Sequence, residues 1–254
     1  MASASWLTDR VDTRAPQRPP GEPGGLWIRA GVQTQGRGRR GRDWSSPPGN
    51  LYASALLIDP APSEALANLP LVAAIAVRDA IAACGLPDGT ALKIKWPNDI
   101  LLNGAKCCGM LLESQNLPDG RPAVVIGCGI NIVSYPDPGM YRATALNREG
   151  ISATPTTLFA HLARAFDRTL GIWDGGRGVP AIRDEWLLHA RGIGETIAVN
   201  LANARIEGLF EGIDADGVLL LRTGEGEVRS ISAGDLFFEN AARSASNAPA
   251  REQE

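Results

Sequence analysis

Between Gln33 and Trp44 the chain reads Gln33-Thr34-Gln35-Gly36-Arg37-Gly38-Arg39-Arg40-Gly41-Arg42-Asp43-Trp44, with three glycines and four arginines inside seven residues. Such a stretch has no apolar face to bury, and its glycines disfavour both helix and strand. It must therefore be a loop. Glycines let backbone N–H groups come close to a ligand, and guanidinium forks match phosphate or carboxylate. An anionic small molecule held by this loop is one reading. An Arg/Gly segment that binds RNA and a plain solvated basic loop are the others. The run is internal, does not repeat and lies between two strand-like segments, Leu26–Gln33 and Leu51–Ile58. That context favours the ligand loop.

Charge sharpens the choice. The whole chain is acidic, with a net charge of −3, so its basic residues are concentrated locally and not spread over a broad nucleic-acid-binding face. Of 25 basic residues only Lys93, Lys95 and Lys106 are lysines. Lysine at those positions points to a need for a compact, rotatable ammonium in place of a planar fork. Alternation over Ala91–Trp96 puts Leu92, Ile94 and Trp96 on one strand face and Lys93 and Lys95 on the other. Cys84, Cys107, Cys108 and Cys128 have neither disulfide nor zinc spacing, and they read as buried thiols of a reducing cytoplasm. No run of 18 apolar residues marks a membrane span and no apolar signal core opens the chain.

The remaining pattern is that of an α/β chain. Ser63 is placed to cap a helix running to about Cys84, apolar nearly all round and hence buried. Ile100-Leu101-Leu102, Asn103-Gly104 and Ala105–Glu113 predict a hairpin, because Asn-Gly suits a type I′ turn. Ala123–Ile126 reads as a strand ending in Gly127-Cys128-Gly129-Ile130-Asn131, where two glycines admit either a close ligand or a bulge. Pro155 opens a helix with Leu158, Phe159, Leu162, Phe166 and Leu170 along one stripe, and a second helix covers roughly Val179–Ala190. His161 and His189 read as solvated and helix-terminal, not catalytic. After Gly192 come Glu195–Val199, Ala204–Ile213, Val218–Leu221 and Glu227–Ile231, short strands spaced as in a small barrel. About 48 residues make a module too small to stand alone, which should pack on its neighbour.

Three segments now carry a resemblance: Gly36-Arg37-Gly38-Arg39-Arg40-Gly41-Arg42-Asp43-Trp44, Lys95-Trp96-Pro97-Asn98-Asp99-Ile100 and Gly127-Cys128-Gly129-Ile130-Asn131. With Ser46–Tyr52 and Lys106–Glu113 in the expected order, the chain resembles bacterial biotin protein ligases from about Leu26 to Phe238. The resemblance is to members without a DNA-binding domain. It implies an α/β (α+β) catalytic domain with a mixed sheet and packed helices over residues 25–191, and a small C-terminal SH3-like β-barrel over 192–239. Residues 1–24 and 240–254 are expected to be poorly ordered.

The resemblance also implies the chemistry: biotinyl-adenylate made from biotin and ATP, then biotin transferred to a lysine of a biotin carboxyl carrier domain of an acyl-CoA carboxylase. It places Gln33, Gly36, Arg37, Gly38 and Arg39 around biotin and the adenylate, and Arg40 and Arg42 near the phosphates. Lys95 would contact the carboxylate and the α-phosphate, with Lys95 and Arg39 as the catalytic pair. Lys106 assists with phosphates, and Gly127, Gly129 and Asn131 line the nucleotide end. Mg²⁺ accompanies ATP, with no carboxylate singled out as its ligand. The Gly/Arg loop is expected to be disordered without ligand and to close on binding. The family's Asp-Ser-Thr-Asn-like biotin segment has its nearest match in Val11-Asp12-Thr13-Arg14. The family often closes over adenine with an aromatic residue in the loop after the Gly-x-Gly segment, where Ile132–Leu146 offers only Tyr135 and Tyr141. No DNA or membrane partner is implied, the location is cytoplasmic, and an exposed strand edge is compatible with a homodimer. A lipoate or octanoate ligase or transferase of the same superfamily, and a biotin- or nucleotide-binding homologue without transfer activity, are the alternatives.

Overall fold

The computed structural model describes residues 26–136, 142–201, 203–224 and 226–238. The segments 1–24 and 240–254, the Val11–Arg14 match and Tyr141 lie outside them. Six strands form the first sheet: β1 (Leu26–Ala30), β2 (Leu51–Ile58), β3 (Leu92–Lys95), β4 (Asp99–Leu102), β5 (Ala105–Asn116) and β6 (Pro122–Ile130). Their order is β1-β2-β6-β5-β4-β3. Every neighbouring pair is antiparallel, which corrects the expectation of a mixed sheet. The reason lies in the connections. Hairpins join β3 through β6, and the helical link after β2 carries the chain to the far edge and not to a parallel neighbour.

Three helices cover this sheet: α1 (Leu69–Ala82), α2 (Pro155–Trp173) and α3 (Val179–His189). The helix expected to start at Ser63 is instead a 3₁₀ segment, Ser63–Asn68, followed by α1. Pro70 explains the break, since its ring fits only the first turn of an α-helix. The combined stretch Ser63–Ala82 is long and apolar enough to cross a membrane, yet it is the central core helix, with Leu69, Val72, Ala74 and Ile81 fully buried. Thr154 and Thr157 cap α2 reciprocally. The α2 stripe buries Leu158, Leu162 and Phe166, and Trp27 of β1 meets Phe159 and Phe166 edge-on.

The second sheet contains β7 (Thr196–Asn200), β8 (Arg205–Ile213), β9 (Leu219–Arg222), β10 (Val228–Ile231) and β11 (Asp235–Phe238), in the order β10-β9-β8-β7-β11. It is antiparallel with β10 and β11 at its two edges, and a bulge near Gly212 bends β8. Its apolar residues Ile197, Val199, Phe210, Leu219 and Leu221 belong to the same core cluster as the first sheet. The small module thus buries itself against its neighbour, as its size requires. Two contacts fix it near the β3–β4 hairpin. Arg191 N–H donates to Ile94 O at 2.8 Å, and Trp96 Nε1–H donates to Gly217 O at 3.1 Å.

Candidate active site

Period-two alternation divides β6 cleanly. Val124, Ile126, Cys128 and Ile130 turn into the helix-covered core, while Val125, Gly127 and Gly129 turn to the other face. Gly127 and Gly129 therefore lie inside the strand, not at its end as expected. Gly129 is paired with Gly109 of β5. A methyl group on Gly129 would stand 2.5 Å from Trp44 Nε1, and one on Gly109 would stand 3.0 Å from the same indole. Two facing glycines thus clear a shelf on which Trp44 lies.

Trp44 reaches that shelf because the Gly/Arg loop is itself a small folded hairpin. Gly38 N–H donates to Arg42 O at 2.7 Å, Trp44 N–H donates to Gly36 O at 2.9 Å, and Arg37 bridges Asp43. Gly36 has to be glycine, since a Cβ there would meet Trp44 O at 2.4 Å. Beneath the loop Ser46 Oγ donates to Gln33 Oε1 at 2.8 Å.

The β3–β4 hairpin supplies the second wall. Lys95 is only 6% exposed, and its ammonium stands 5.8 Å from the centre of the Phe237 ring. Burial pulls its pKa down from 10.5 to about 8, and Asp99 opposes part of that shift. Asp99, the register partner of Lys95, binds Lys106 Nζ at 2.7 Å. Lys106 also lies over Trp44, 5.5 Å from the ring centre. Its backbone is held by the strap at residues 142–144, through Lys106 N–H to Arg142 O at 2.8 Å and Thr144 N–H to Lys106 O at 2.9 Å.

Loop and hairpin meet directly. Arg39 Nη1 donates to Asn98 Oδ1 at 3.2 Å and to Gly234 O at 3.3 Å. Asn98 in turn donates to Met110 O. Burial lowers the Arg39 pKa below its usual value, with Asp235 and Asp99 opposing. Arg40 and Arg42 both donate to Asp235 Oδ2.

These elements enclose a cavity of about 690 Å³, in the size range of sites that bury most of a small ligand. Of the residues singled out from sequence, Gln33, Gly36, Arg37, Gly38, Arg39, Arg42, Lys95, Lys106, Gly127, Gly129 and Asn131 all line it. Arg40 does not; its guanidinium binds the lining residue Asp235. Asn131 is 3% exposed and spends its side-chain amide on Thr144 O at 3.1 Å, which ties the 142–146 segment to β6. Tyr135 is outside the lining and lies under the guanidinium of Arg148. The thiols of Cys107, Cys108 and Cys128 are buried as expected, whereas Cys84 is half-exposed. Burial pushes Cys107 and Cys128 up to about 12, which keeps them protonated and inert.

Sequence reasoning assigned no role to Trp44 or Asp99, although both sit inside quoted motifs. It missed Asp235 and Phe237 altogether, because β11 is four residues long and directly follows a glycine. Among the described residues no group of three or more His, Cys, Asp or Glu side chains is placed to hold a metal.

A buried ammonium, a loop of guanidinium groups and a glycine-cleared strand face around one cavity define a site for an elongated anionic ligand. Comparison with known proteins narrows that class. The Biotin/lipoate A/B protein ligase family matches residues 21–131, and the Biotin protein ligase C terminal domain matches residues 192–238. The biotin--[acetyl-CoA-carboxylase] ligase of Paracoccus denitrificans is 39% identical over 238 residues, covering 91% of this chain and 98% of that one. The biotin protein ligase of Aquifex aeolicus, solved with biotin and ATP, superposes with a TM-score of 0.69 at 28% identity over 83% of this chain and 87% of that one. The Leishmania major enzyme with biotinyl-5-AMP superposes with a TM-score of 0.57 at 25% identity over 83% and 90%. The chain belongs to the biotin protein ligase family.

Proposed function

We propose that this protein is an ATP-dependent ligase that forms biotinyl-5′-AMP and transfers biotin to a lysine of a biotin carboxyl carrier domain of an acyl-CoA carboxylase. The observation that carries this reading is Lys95, a nearly buried ammonium set into the cavity between the Gly/Arg loop and the glycine-cleared face of β6. Adenylation joins two anions, so the site must neutralise both and align them. A carboxylate oxygen of biotin attacks the α-phosphorus of ATP, the bond to the β-phosphate oxygen breaks, and pyrophosphate leaves. Lys95 follows the charge that builds on the α-phosphate, and Arg39 holds the loop side of the same anion. Gln33, Gly36, Arg37 and Gly38 line the biotin and adenylate part. Arg42 and Lys106 face the phosphates, with Arg40 behind them. Gly127, Gly129 and Asn131 belong to the nucleotide end. In the second step the amine of the carrier lysine attacks the acyl carbonyl. The acyl–phosphate oxygen bond breaks, AMP departs with the electron pair, and the amine loses its proton to solvent.

Mg²⁺ enters as part of the MgATP substrate. Two of the carboxylates lining the cavity are paired, Asp99 with Lys106 and Asp235 with Arg40 and Arg42, and phosphate oxygens and water would supply most of the ion's shell. We assign residues 25–191 to catalysis and 192–239 to an SH3-like module. The outer edge of β1 offers a homodimer contact, and the reaction is assigned to the cytoplasm, where ATP and carrier meet.

The test is to mix the protein with MgATP, an apo carrier domain and either biotin or lipoate, and to weigh the carrier. Gain of one biotinyl group on one lysine is expected. A carrier that gains lipoyl, or nothing, sinks the assignment.

A further inference from the structure

Behind the strap at residues 142–144 three polar side chains meet, and no step of the reaction above uses them. Glu149 Oε1 accepts from the Thr144 hydroxyl at 2.6 Å, and Glu149 Oε2 accepts from Asn103 Nδ2 at 2.8 Å. These bonds, the one from Thr144 foremost, hold the Glu149 carboxyl below the usual carboxylate range. Glu149 ends a partly buried 3₁₀ turn, Asn147–Glu149, where water could serve a carboxylate equally well. Thr144 has no such freedom. It is 2% exposed, and each of its polar groups is engaged: its N–H with Lys106 O at 2.9 Å, its carbonyl with Asn131 Nδ2 at 3.1 Å, and its hydroxyl with Glu149. A buried hydroxyl that loses its acceptor is costly, so Glu149 is what lets Thr144 lie there. Asn103 completes the link. Its side-chain oxygen accepts from Ala91 N–H at 3.0 Å, just before β3, and it sits in the turn from β4 into β5. One carboxylate thus joins the strap to the strands that carry Lys95 and Lys106.

We propose that Glu149 is a positioning residue for the nucleotide: through Thr144 and Asn103 it fixes the strap against β5, and so sets the spacing of Lys106, Asn131 and Ala143 around MgATP. Those three residues line the cavity, whereas Glu149, Thr144 and Asn103 stand behind the lining. Glu149 therefore acts only through its partners. The inference deepens the ligase reading and rests on it. A purely structural carboxylate would affect stability and leave both substrates equally held. A positioning carboxylate affects MgATP in preference to biotin, because the biotin side of the site is built on the Gly/Arg loop and not on this strap.

The test uses the full chain with an apo carrier domain and measures KM for MgATP and KM for biotin separately. Glu149→Ala should raise KM for MgATP about tenfold while KM for biotin stays within about twofold of the parent's. An unchanged KM for MgATP, or an equal rise for both substrates, overturns the proposal. Thr144→Val removes the hydroxyl at nearly constant volume and should raise KM for MgATP in the same way. Because Glu149 works through Thr144, the double variant should be little worse than Thr144→Val alone, and fully additive effects overturn that route. Should Glu149→Ala lose its fold, Glu149→Gln removes the charge and keeps the shape. It should then raise KM for MgATP alone by about threefold, and no rise, or an equal rise for biotin, overturns the proposal. A folded parent that transfers no biotin overturns the ligase reading. Calorimetric titration with MgATP then decides the role of Glu149: weaker binding in Glu149→Ala than in the parent is expected, and equal binding overturns it.

Discussion

Lys95 stands opposite Asp99 across the β3–β4 hairpin, and Asp99 binds Lys106 at 2.7 Å, so one carboxylate serves two ammonium groups that face one cavity. The arrangement leaves an excess of positive charge where a carboxylate and a triphosphate would meet. Without ligand, that excess is a burden on the fold.

Lys95→Met should therefore abolish adenylate formation and stabilise the folded protein. The Lys95 pKa is lowered from 10.5 to about 8, and a displacement of that size corresponds to about 3 kcal/mol of unfavourable burial. Below pH 8 the ammonium is charged in both states and the penalty is complete. Between about pH 8 and 10.5 the folded chain releases the proton while the unfolded chain keeps it, so parent stability rises with pH. Denaturant titrations near pH 7 and near pH 10 should show a gain for the variant that is largest at the lower pH. A variant less stable than the parent near pH 7 would contradict the burial cost.

Asp99→Asn removes the charge that holds the Lys95 pKa up, so that pKa falls further. The alkaline limb of kcat/KM for adenylation reports ionisation in the free enzyme. In the parent it should lie near pH 8, and in the variant it should move to lower pH. A limb that stays put, or moves up, would remove Lys95 as the titrating group.

Gly129→Ala puts a methyl group 2.5 Å from Trp44 Nε1. The indole must then leave its shelf or the strand must shift, at a cost of about 1–3 kcal/mol. Adenylation should drop about tenfold or more, since the loop carries the arginines, while the far-ultraviolet circular dichroism keeps its shape. Normal rates would show that the shelf is not needed.

Trp96→Phe removes the bond from Nε1 to Gly217 O that links the hairpin to the second sheet. Denaturant titration should give a loss of about 1–2 kcal/mol. An unchanged midpoint would mean that this bond adds nothing to the junction of the two sheets.

How far the sequence spoke depended on distance along the chain. The Asn103-Gly104 turn was legible because its chemistry is local, and both residues do take positive φ. The two lysines of the site were legible from their rarity and from strand alternation. Gly127 and Gly129 were misplaced at a strand end, since glycine usually interrupts a strand; here Gly129 clears space for Trp44, a residue 85 positions away that no local pattern connects to it. The antiparallel sheet was missed because pairing is decided by connections, not by the strands themselves. Asp235 was invisible for a like reason. Its partners Arg40 and Arg42 lie almost two hundred residues earlier, and β11 is too short to show a period.

The most direct test is pyrophosphate release on mixing the protein with MgATP, with and without biotin, in the parent and in Lys95→Met. The account predicts release that requires biotin, stops near one equivalent per chain when the adenylate is retained, and vanishes in the variant. Biotin-independent release, or none from a folded parent, or undiminished release from Lys95→Met, would contradict it.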